Sequence, residues 1–254
     1  MRFASLGSGS SGNATLVASG SSLLLLDCGF AIKETERRMQ RLGVSPDQLS
    51  AVVVTHEHGD HIKGVGPLAR KYSLPVYMTE GTLAGKDLGK LASLNVIRNY
   101  EAFTVGDLDV MPVVVPHDAR EPAQFVFQDT NGVKLGVLTD LGSLTPHIIE
   151  VYRGCHGLLV EANHDVEMLA NGPYPHSLKL RVASHWGHLN NTQTAEFLAS
   201  CDLDTVQEIV VGHISQKNNS LAHVQSALHE VITQAKSIHF ACQEAGFDWL
   251  DLHA

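Results

Sequence analysis

The feature that most constrains the fold is an apolar run that ends in a cluster of polar side chains. Residues 49–55 are rich in valine, as expected of a buried strand, and lead directly into residues 56–61, His-Glu-His-Gly-Asp-His. Residues two apart in an extended segment project to the same side, so His56 and His58 can bind one cation together. Asp60 and the last histidine lie on the following turn, where a second cation could be bound. The alternative is a solvent-exposed polar turn, and the rest of the sequence favours the metal site.

Three further strand-like runs each end in one side chain of a metal-ligand type. These side chains are His117 after residues 110–115, Asp140 after residues 133–139, and His213 after residues 208–212. Any one of them alone would more often be a capping or surface residue. Because two metal ions need more ligands than one loop supplies, the strand ends together predict a dinuclear site at the mouth of a β-sandwich.

Strand-like and helix-like segments alternate along the chain without a repeat, linker or low-complexity tract, so residues 1–254 are predicted to form a single domain. The predicted strands are residues 2–6, 15–18, 22–27, 49–55, 76–78, 103–105, 108–115, 124–128, 133–139, 157–161 and 208–212. The predicted helices are residues 32–42, 60–72, 82–91, 192–200 and 220–235. The β-rich middle of the chain, with the hairpin signal Asn131-Gly132, implies a second sheet.

Composition narrows the class of protein. A formal net charge of −9 disfavours a strongly basic nucleic-acid surface, although bound cations would reverse the potential inside an acidic site. No stretch is apolar enough to span a bilayer, and no signal peptide is recognisable, so a cytosolic location is expected. The 4 cysteines are scattered without a Cys-x-x-Cys pair, which predicts reduced and mostly buried thiols.

The order of these ligand-type residues resembles the metallo-β-lactamase superfamily over nearly the whole chain. The resemblance implies an α+β fold, the four-layer αββα sandwich, and a hydroxide shared between two metal ions as the nucleophile. It implies one ion on His56, His58 and His117, and a second on Asp60, His61 and His213, with Asp140 bridging them. The ligands are all nitrogen or oxygen, which suits zinc or manganese.

Further segments resemble the YycJ (WalJ) subfamily, which is related to the transfer-RNA-processing zinc nucleases and to phosphonate-pathway phosphodiesterases. These segments are Leu-Gly-Ser-Gly-Ser-Ser-Gly-Asn at 6–13, Glu-Ala-Asn-His-Asp at 161–165, Tyr-Pro at 174–175, Gly-His-Leu at 187–189, Gly-His-Ile-Ser at 212–215 and Asn-Asn at 218–219. The resemblance implies an exonuclease acting on DNA. The chain departs from the subfamily pattern at Asn190, where serine is usual, and at Gln216, where lysine is usual and Lys217 follows instead.

Further roles are predicted for Asp60, in addition to metal binding, and for residues outside the metal set. The predicted catalytic residues are Asp60 and His188, the latter as a group that acts on the substrate without binding metal. The predicted substrate-binding residues are Lys179, Arg181, His185, Lys217 and Asn218, for which a solvated helix face is the alternative. Glu161 and His164 are predicted to orient a metal-binding histidine.

The substrate stays open at this point. The favoured function is a phosphodiesterase or nuclease with DNA as its partner, and a cyclic phosphodiesterase acting on a small molecule is the alternative within the same chemistry. A thioesterase or lactamase that hydrolyses an acyl bond is a second class, although no cysteine stands at a ligand position. An interaction module braced by metals is the weakest alternative, because this ligand set leaves room for water. No membrane partner is expected, and the oligomeric state is left open.

Overall fold

The computed structural model describes residues 1–254, which form two seven-stranded sheets. The strands are β1 (Arg2–Gly7), β2 (Ala14–Ser19), β3 (Ser22–Leu26), β4 (Ala51–Val53), β5 (Pro75–Thr79), β6 (Ser93–Ile97), β7 (Phe103–Val105), β8 (Leu108–Val114), β9 (Ala123–Asp129), β10 (Lys134–Leu138), β11 (Gly157–Glu161), β12 (Glu208–Gly212), β13 (Ile238–Phe240) and β14 (Phe247–Asp251). The first sheet has the order β14-β1-β2-β3-β4-β5-β6, and the second has the order β13-β12-β11-β10-β9-β8-β7.

Helices lie between the strands in the chain. They are α1 (Ile32–Arg41), α2 (Gly59–Ile62), α3 (Val65–Tyr72), α4 (Glu80–Gly85), α5 (Pro146–Tyr152), α6 (Val166–Asn171), α7 (His176–Val182), α8 (Asn191–Ser200), α9 (Leu221–Ala227) and α10 (His229–Gln234), together with a 3-10 helix at Pro46–Gln48. None of the helices combines the length and the apolar character needed to cross a membrane.

Three separate hydrophobic cores show how the layers pack. One core joins the first sheet to α1 and α3 through residues such as Met39 and Leu68. A second joins the second sheet to α5 and α8 through residues such as Ile148 and Phe197. The third lies between the two sheets and includes Phe125. This arrangement of helix, sheet, sheet and helix confirms the predicted four-layer αββα sandwich.

Strand β3 illustrates why its sequence is apolar throughout. Successive side chains of a strand point to opposite faces, so a strand covered on both faces needs apolar residues at every position. Leu23 and Leu25 pack into the core shared with the helices, whereas Leu24 and Leu26 pack between the sheets. The continuous leucine run is therefore the signature of a strand buried on both sides.

Parallel strands in each sheet direct their carboxyl ends to one edge. In the first sheet β3, β4, β5 and β6 are parallel neighbours. In the second sheet β10, β11, β12 and β13 are parallel neighbours. Loops that follow these strands must start from the same edge of their sheet, which is where the polar strand ends of the sequence are brought together.

Three predicted helices differ from the observed ones. The helix predicted at 60–72 is broken between α2 and α3, because the Gly64 amide donates to the Cys28 carbonyl at 2.7 Å. The helix predicted at 82–91 is wrong in its extent, since α4 ends at Gly85 and Gly89 adopts φ of 72°. The helix predicted at 220–235 is divided into α9 and α10 at Leu228. Short edge strands β6, β13 and β14, together with helices α5, α6 and α7, were not predicted.

Three of the four cysteines are buried, which confirms the prediction of mostly buried thiols. Cys28, Cys155 and Cys201 are free and buried, and Cys242 is free and exposed. Burial raises the pKa of the Cys28 thiol to about 11 and that of Cys155 to about 12, which keeps both protonated. Neither thiol is therefore suited to bind a metal as a thiolate at neutral pH.

A buried tyrosine tests the packing of the second sheet against its helices. Tyr152 is fully buried, and its hydroxyl donates to the Val137 carbonyl at 2.7 Å. Tyr152→Phe removes the donor, so we expect a loss of about 1 kcal/mol in the free energy of unfolding, seen as a lower urea midpoint. Tyr100→Phe is the matched control, because Tyr100 is 55% exposed. Equal midpoints for the two variants would contradict the prediction.

Candidate metal centre

The candidate site lies where strand ends from both sheets meet. On the first sheet, residues 56–61 follow β4 and Asp27 directly follows β3. On the second sheet, Asp140 lies just after β10, Glu161 is the last residue of β11, and His213 follows β12. Because β10, β11 and β12 are parallel neighbours in register, their terminal side chains reach the same edge. The order of the strands is enough to gather them.

Three histidines form the first group of candidate ligands. The Nε2 atom of His56 lies 3.0 Å from Nδ1 of His58, and Nε2 of His117 lies 3.2 Å from the same Nδ1 atom. Burial lowers the pKa of His56 well below its ordinary value and also lowers that of His117. Neutral imidazoles with converging nitrogens are the form that binds a metal ion.

The spacing of these nitrogens fits a tetrahedral metal site. Zinc–nitrogen bonds of about 2.0–2.1 Å place two ligand nitrogens about 3.3 Å apart when the coordination is tetrahedral. The observed separations of 3.0 and 3.2 Å are close to that value. Nδ1 of His58 cannot form good hydrogen bonds to Nε2 of both His56 and His117 through one hydrogen. One cation between the three rings can interact with all three nitrogens. The residues therefore fit the metal that the sequence implies.

Asp140 is the centre of the second group. Its Oδ2 atom lies 3.3 Å from Nε2 of His61 and 3.2 Å from Nδ1 of His213. Asp60 completes the group, with its Oδ2 atom 3.5 Å from Nε2 of His61. Oδ2 of Asp140 and Nδ1 of His213 are buried and have no hydrogen-bond partner. Buried polar atoms without a partner are costly, and a cation bound between them would remove that cost.

The carboxylates of this second group favour a positive charge between them. Burial alone would lower the pKa of His61, but Asp140 and Asp27 raise it well above its ordinary value. The same balance, with Asp140 and Glu161 as the carboxylates, raises the pKa of His213 to about 10. The carboxylates thus draw positive charge to this point, which either protons or a divalent ion can supply.

Asp140 also lies between the two groups. Asp140, His56 and His61 form one set of residues whose candidate ligand atoms all lie within 4.8 Å of one another. Asp140, Glu161, His188 and His213 form a second set within the same distance. It is the residue that these two sets have in common. A carboxylate in this position is suited to bridge two ions, as the resemblance implies. The second set also shows that Glu161 and His188 are near enough to bind a cation.

Asp27 is a site residue that the sequence analysis missed. Its Oδ2 atom accepts a hydrogen bond from Nδ1 of His61 at 2.7 Å and another from the Thr55 hydroxyl at 2.8 Å, while Oδ1 accepts from the Thr55 amide at 2.8 Å. The bond fixes the hydrogen of His61 on Nδ1 and leaves Nε2 free to face Asp140. Asp27 ends an apolar strand, so the criterion that found Asp140 could have found it.

The glycine-rich opening contacts the site directly. The Ser8 hydroxyl accepts from the His213 amide at 2.8 Å. The Asn13 carboxamide nitrogen lies 3.3 Å from Oδ2 of Asp60 and 3.1 Å from Nε2 of His61. A segment whose composition alone is that of a flexible linker is therefore held in place by the candidate ligands.

Glu161, at the end of β11, joins two neighbouring loops around the centre. Its fully buried carboxylate accepts from the backbone amides of Asp140, Leu141 and Leu189 at 3.1, 3.0 and 2.9 Å, and from Nδ1 of His188 at 3.1 Å. Burial would raise its pKa, but His188 and His213 hold the pKa at about 2. His164, predicted as its partner, is buried nearby with no hydrogen bond to its Nδ1 atom, and no hydrogen bond joins it to Glu161.

Backbone strain is concentrated at the same strand ends. Five residues other than glycine have positive φ, and three of them are Asp27 at 61°, Asp140 at 56° and His213 at 51°. Left-handed backbone is unfavourable for residues with a Cβ atom and persists where the surroundings enforce it. Each of these turns aims a side chain at the centre immediately after a strand.

A cavity of about 370 Å³, which we call the cleft, opens onto the centre. It is lined by Asp60, Asp140, His188 and His213, among others, and by Arg181 at its rim. Arg181 forms an ion pair with Asp118, whose Oδ1 atom lies 3.5 Å from Nε2 of His117. The cleft therefore contains carboxylates, imidazoles and one guanidinium.

The other predicted substrate residues lie elsewhere. Lys179 donates to the Ala170 carbonyl at 2.7 Å and His185 is exposed, and neither lines the cleft. Lys217 lines a neighbouring smaller pocket. Asn218 is buried, and its side chain has no hydrogen-bond partner. Arg181 is the one member of this set that the fold brings to the cleft.

The contact between Asp27 and His61 can be tested by metal affinity. Asp27→Asn replaces an accepting oxygen with a group that cannot hold the hydrogen on Nδ1 of His61 in the same way, so we expect metal to bind about 10- to 100-fold more weakly. Competition with a chromophoric chelator measures the dissociation constant. Asp251→Asn, at an exposed position of β14, is the matched control. An unchanged affinity in the Asp27 variant would show that this contact does not support metal binding.

Comparisons with known proteins agree with this geometry. The Beta-lactamase superfamily domain matches residues 23–214. Exodeoxyribonuclease YycJ of Bacillus anthracis is 36% identical over 238 residues, which cover 92% of this chain and 90% of that protein. Exodeoxyribonuclease WalJ of Streptococcus pneumoniae is 36% identical over 233 residues, which cover 88% and 86%.

A solved structure supports the fold alone. The zinc-bound PqqB of Methylobacterium extorquens matches with a TM-score of 0.75 and 18% identity, over 99% of this chain and 100% of that chain. The family follows from the domain match and from the two relatives, which align with this chain over most of their length. The chain belongs to the metallo-β-lactamase superfamily and, within it, to the YycJ/WalJ group.

Proposed function

We propose that this chain is a metal-dependent phosphodiesterase that acts as an exonuclease on DNA, with residues 1–254 as one hydrolase domain. The observation that carries the proposal is the near full-length similarity to two proteins named exodeoxyribonucleases, combined with a cleft that opens onto seven candidate ligand residues in the expected order. A cytoplasmic location, where DNA and reduced thiols are found, is part of the proposal.

The proposed cofactor is a pair of divalent ions, zinc or manganese. His56, His58 and His117 would hold one ion, and Asp60, His61 and His213 the other, with Asp140 between them. When bound, such a pair generates a nucleophile from water at neutral pH and stabilises charge on the attacking and leaving oxygens. The nitrogen and oxygen ligand set is compatible with both metals.

Asp60 and His188 are the proposed catalytic residues. Asp60 lines the cleft, where its carboxylate can accept the proton of the attacking water while Asn13 donates to Oδ2. His188 lines the same cleft, and the Glu161 carboxylate, which can only accept, holds a hydrogen on its Nδ1 atom. Nε2 of His188 has no partner within the protein, so in the imidazolium form, with a hydrogen on each nitrogen, it can donate the Nε2 proton to the leaving oxygen and keep the hydrogen on Nδ1.

A turnover panel tests the class of substrate. Metal-loaded protein should cleave single-stranded DNA and bis-p-nitrophenyl phosphate far faster than a β-lactam or a thioester, and a chelator or Asp140→Ala should abolish the activity. Duplex DNA, RNA and a cyclic nucleotide complete the panel. Faster hydrolysis of the acyl substrates would move the chain to the acyl-hydrolase class, and cleavage of the cyclic nucleotide alone would establish a small-molecule phosphodiesterase.

The role of His188 is tested by changing the leaving group. His188→Ala should retain its metal content and lose a factor of about 100 to 10,000 in the rate of DNA cleavage, because a positioned general acid is removed. A p-nitrophenyl ester needs less protonation as it leaves, so its rate should fall less. His229→Ala, at an exposed position of α10, is the matched control.

Two results would change this assignment. Equal losses on both substrates would show that His188 positions the phosphate and does not donate a proton. Loss of metal from the His188 variant, measured by elemental analysis, would place this residue among the ligands with Asp140 and His213.

A further inference from the structure

A smaller cavity adjoins the cleft, and we call it the side pocket. It has a volume of about 210 Å³ and is formed by two loops, residues 9–11 and 214–217, with Tyr174 and Gln243 completing its wall. Ser10 and Tyr174 line both cavities, so the side pocket opens directly beside the candidate metal centre. A molecule in the cleft can therefore extend into it without leaving the protein surface.

The two loops of the side pocket are continuous with loops that carry the centre. Ile214 follows His213, and residues 9–11 lie between Ser8, which accepts from the His213 amide, and Asn13, which contacts Asp60. Gln243 fixes the end of the first loop, since its Oε1 atom accepts from the Ser11 amide at 2.7 Å and its Nε2 atom donates to the Gly12 carbonyl at 2.8 Å. The side pocket is thus held at a fixed place relative to the centre.

The side pocket has the opposite charge character to the cleft. Asp60, Asp118 and Asp140 line the cleft, whereas no acidic residue lines the side pocket. Its charged residue is Lys217, which is exposed and forms no ion pair with an acidic side chain. In a chain with a net charge of −9, an acid-free pocket with a free ammonium beside an acidic cleft is suited to an anion.

Hydrogen-bond donors complete the surface. The amide and hydroxyl of Ser10 take part in no hydrogen bond within the protein, and the Tyr174 hydroxyl has none. Nζ of Lys217 lies 5.9 Å from the centre of the Tyr174 ring, which places the ammonium near the opening between the two cavities. An ammonium with several free N–H and O–H groups is the arrangement that binds phosphate oxygens.

We propose that the side pocket binds the terminal phosphate monoester of a nucleic-acid strand whose adjacent phosphodiester lies in the cleft. This inference rests on the proposed function for the identity of the strand. A phosphate monoester carries about 1.5 to 2 negative charges at neutral pH and three acceptor oxygens, so it gains more from such a pocket than an internal diester does. The pocket would let the enzyme select phosphorylated ends.

Binding measurements with defined ends test the proposal. Three fluorescent single-stranded DNA oligonucleotides carry a 5′-phosphate, a 3′-phosphate or only hydroxyl ends, with phosphorothioate linkages that resist cleavage. Anisotropy is measured with the metal-loaded protein and again after chelation, so the readout does not depend on turnover. We expect one phosphorylated end to tighten binding about tenfold, and the oligonucleotide that does so identifies the end that is bound.

Lys217→Gln should remove this advantage with a much smaller loss of affinity for hydroxyl-ended DNA, and Ser10→Ala should reduce the advantage. With cleavable DNA, the same variants should raise KM for phosphorylated ends with little change in kcat. Lys236→Gln is the matched control, because Lys236 is exposed and lines neither cavity. It should leave all three affinities unchanged.

The outcomes separate this proposal from the proposed function. Equal affinities for the three oligonucleotides, or an equal loss with all three in the Lys217 variant, would overturn the side-pocket proposal, even in a protein that cleaves DNA. A phosphate-dependent affinity that depends on Lys217, in a protein that fails to cleave any nucleic acid, would support the pocket and overturn the proposed activity.

Discussion

The buried carboxylate of Glu161 is the interaction on which the site depends. A carboxylate enclosed by protein is destabilising unless its oxygens are fully hydrogen-bonded. Glu161 meets this condition by accepting from three backbone amides and from His188. Those partners lie on the loop after β10 and on the loop before α8, so one group fixes the backbone that carries Asp140 and the position of His188. The geometry of the cleft follows from it.

Strain and charge at the strand ends are tolerated because the two sheets are rigid. Asp27, Asp140 and His213 each leave their strand in a left-handed conformation, which costs energy that the packed sheets must supply. The same three turns bring carboxylates and imidazoles within a few ångströms of one another, so their mutual charges are balanced only with added positive charge. The packing of the two sheets thus maintains a centre whose backbone conformations and clustered charges are unfavourable on their own.

The sequence was most informative where one physical rule applied to several elements. An apolar strand that ends in a ligand-type residue identifies His117, Asp140 and His213, and the strands before them, β8, β10 and β12, are alternate strands of the second sheet. Asp27 satisfies the same rule but was included in the predicted strand. The sequence predicts the same substrate-binding role for Lys179 and Arg181 on α7, because this helix has no buried residue and its sequence gives no sign of which face meets the cleft. Arg181 reaches it, whereas Lys179 does not.

The candidate ligands come from both sheets of the sandwich. His56, His58, Asp60 and His61 belong to the first sheet, and His117, Asp140 and His213 to the second. A cation held by both sets would act as a cross-link between the two halves of the sandwich, joining residues far apart in the chain. Its binding energy would then add to the stability of the native state by mass action, so the temperature of unfolding would rise with the logarithm of the free metal concentration. The stability of the fold and the catalytic activity would therefore both depend on the free metal concentration.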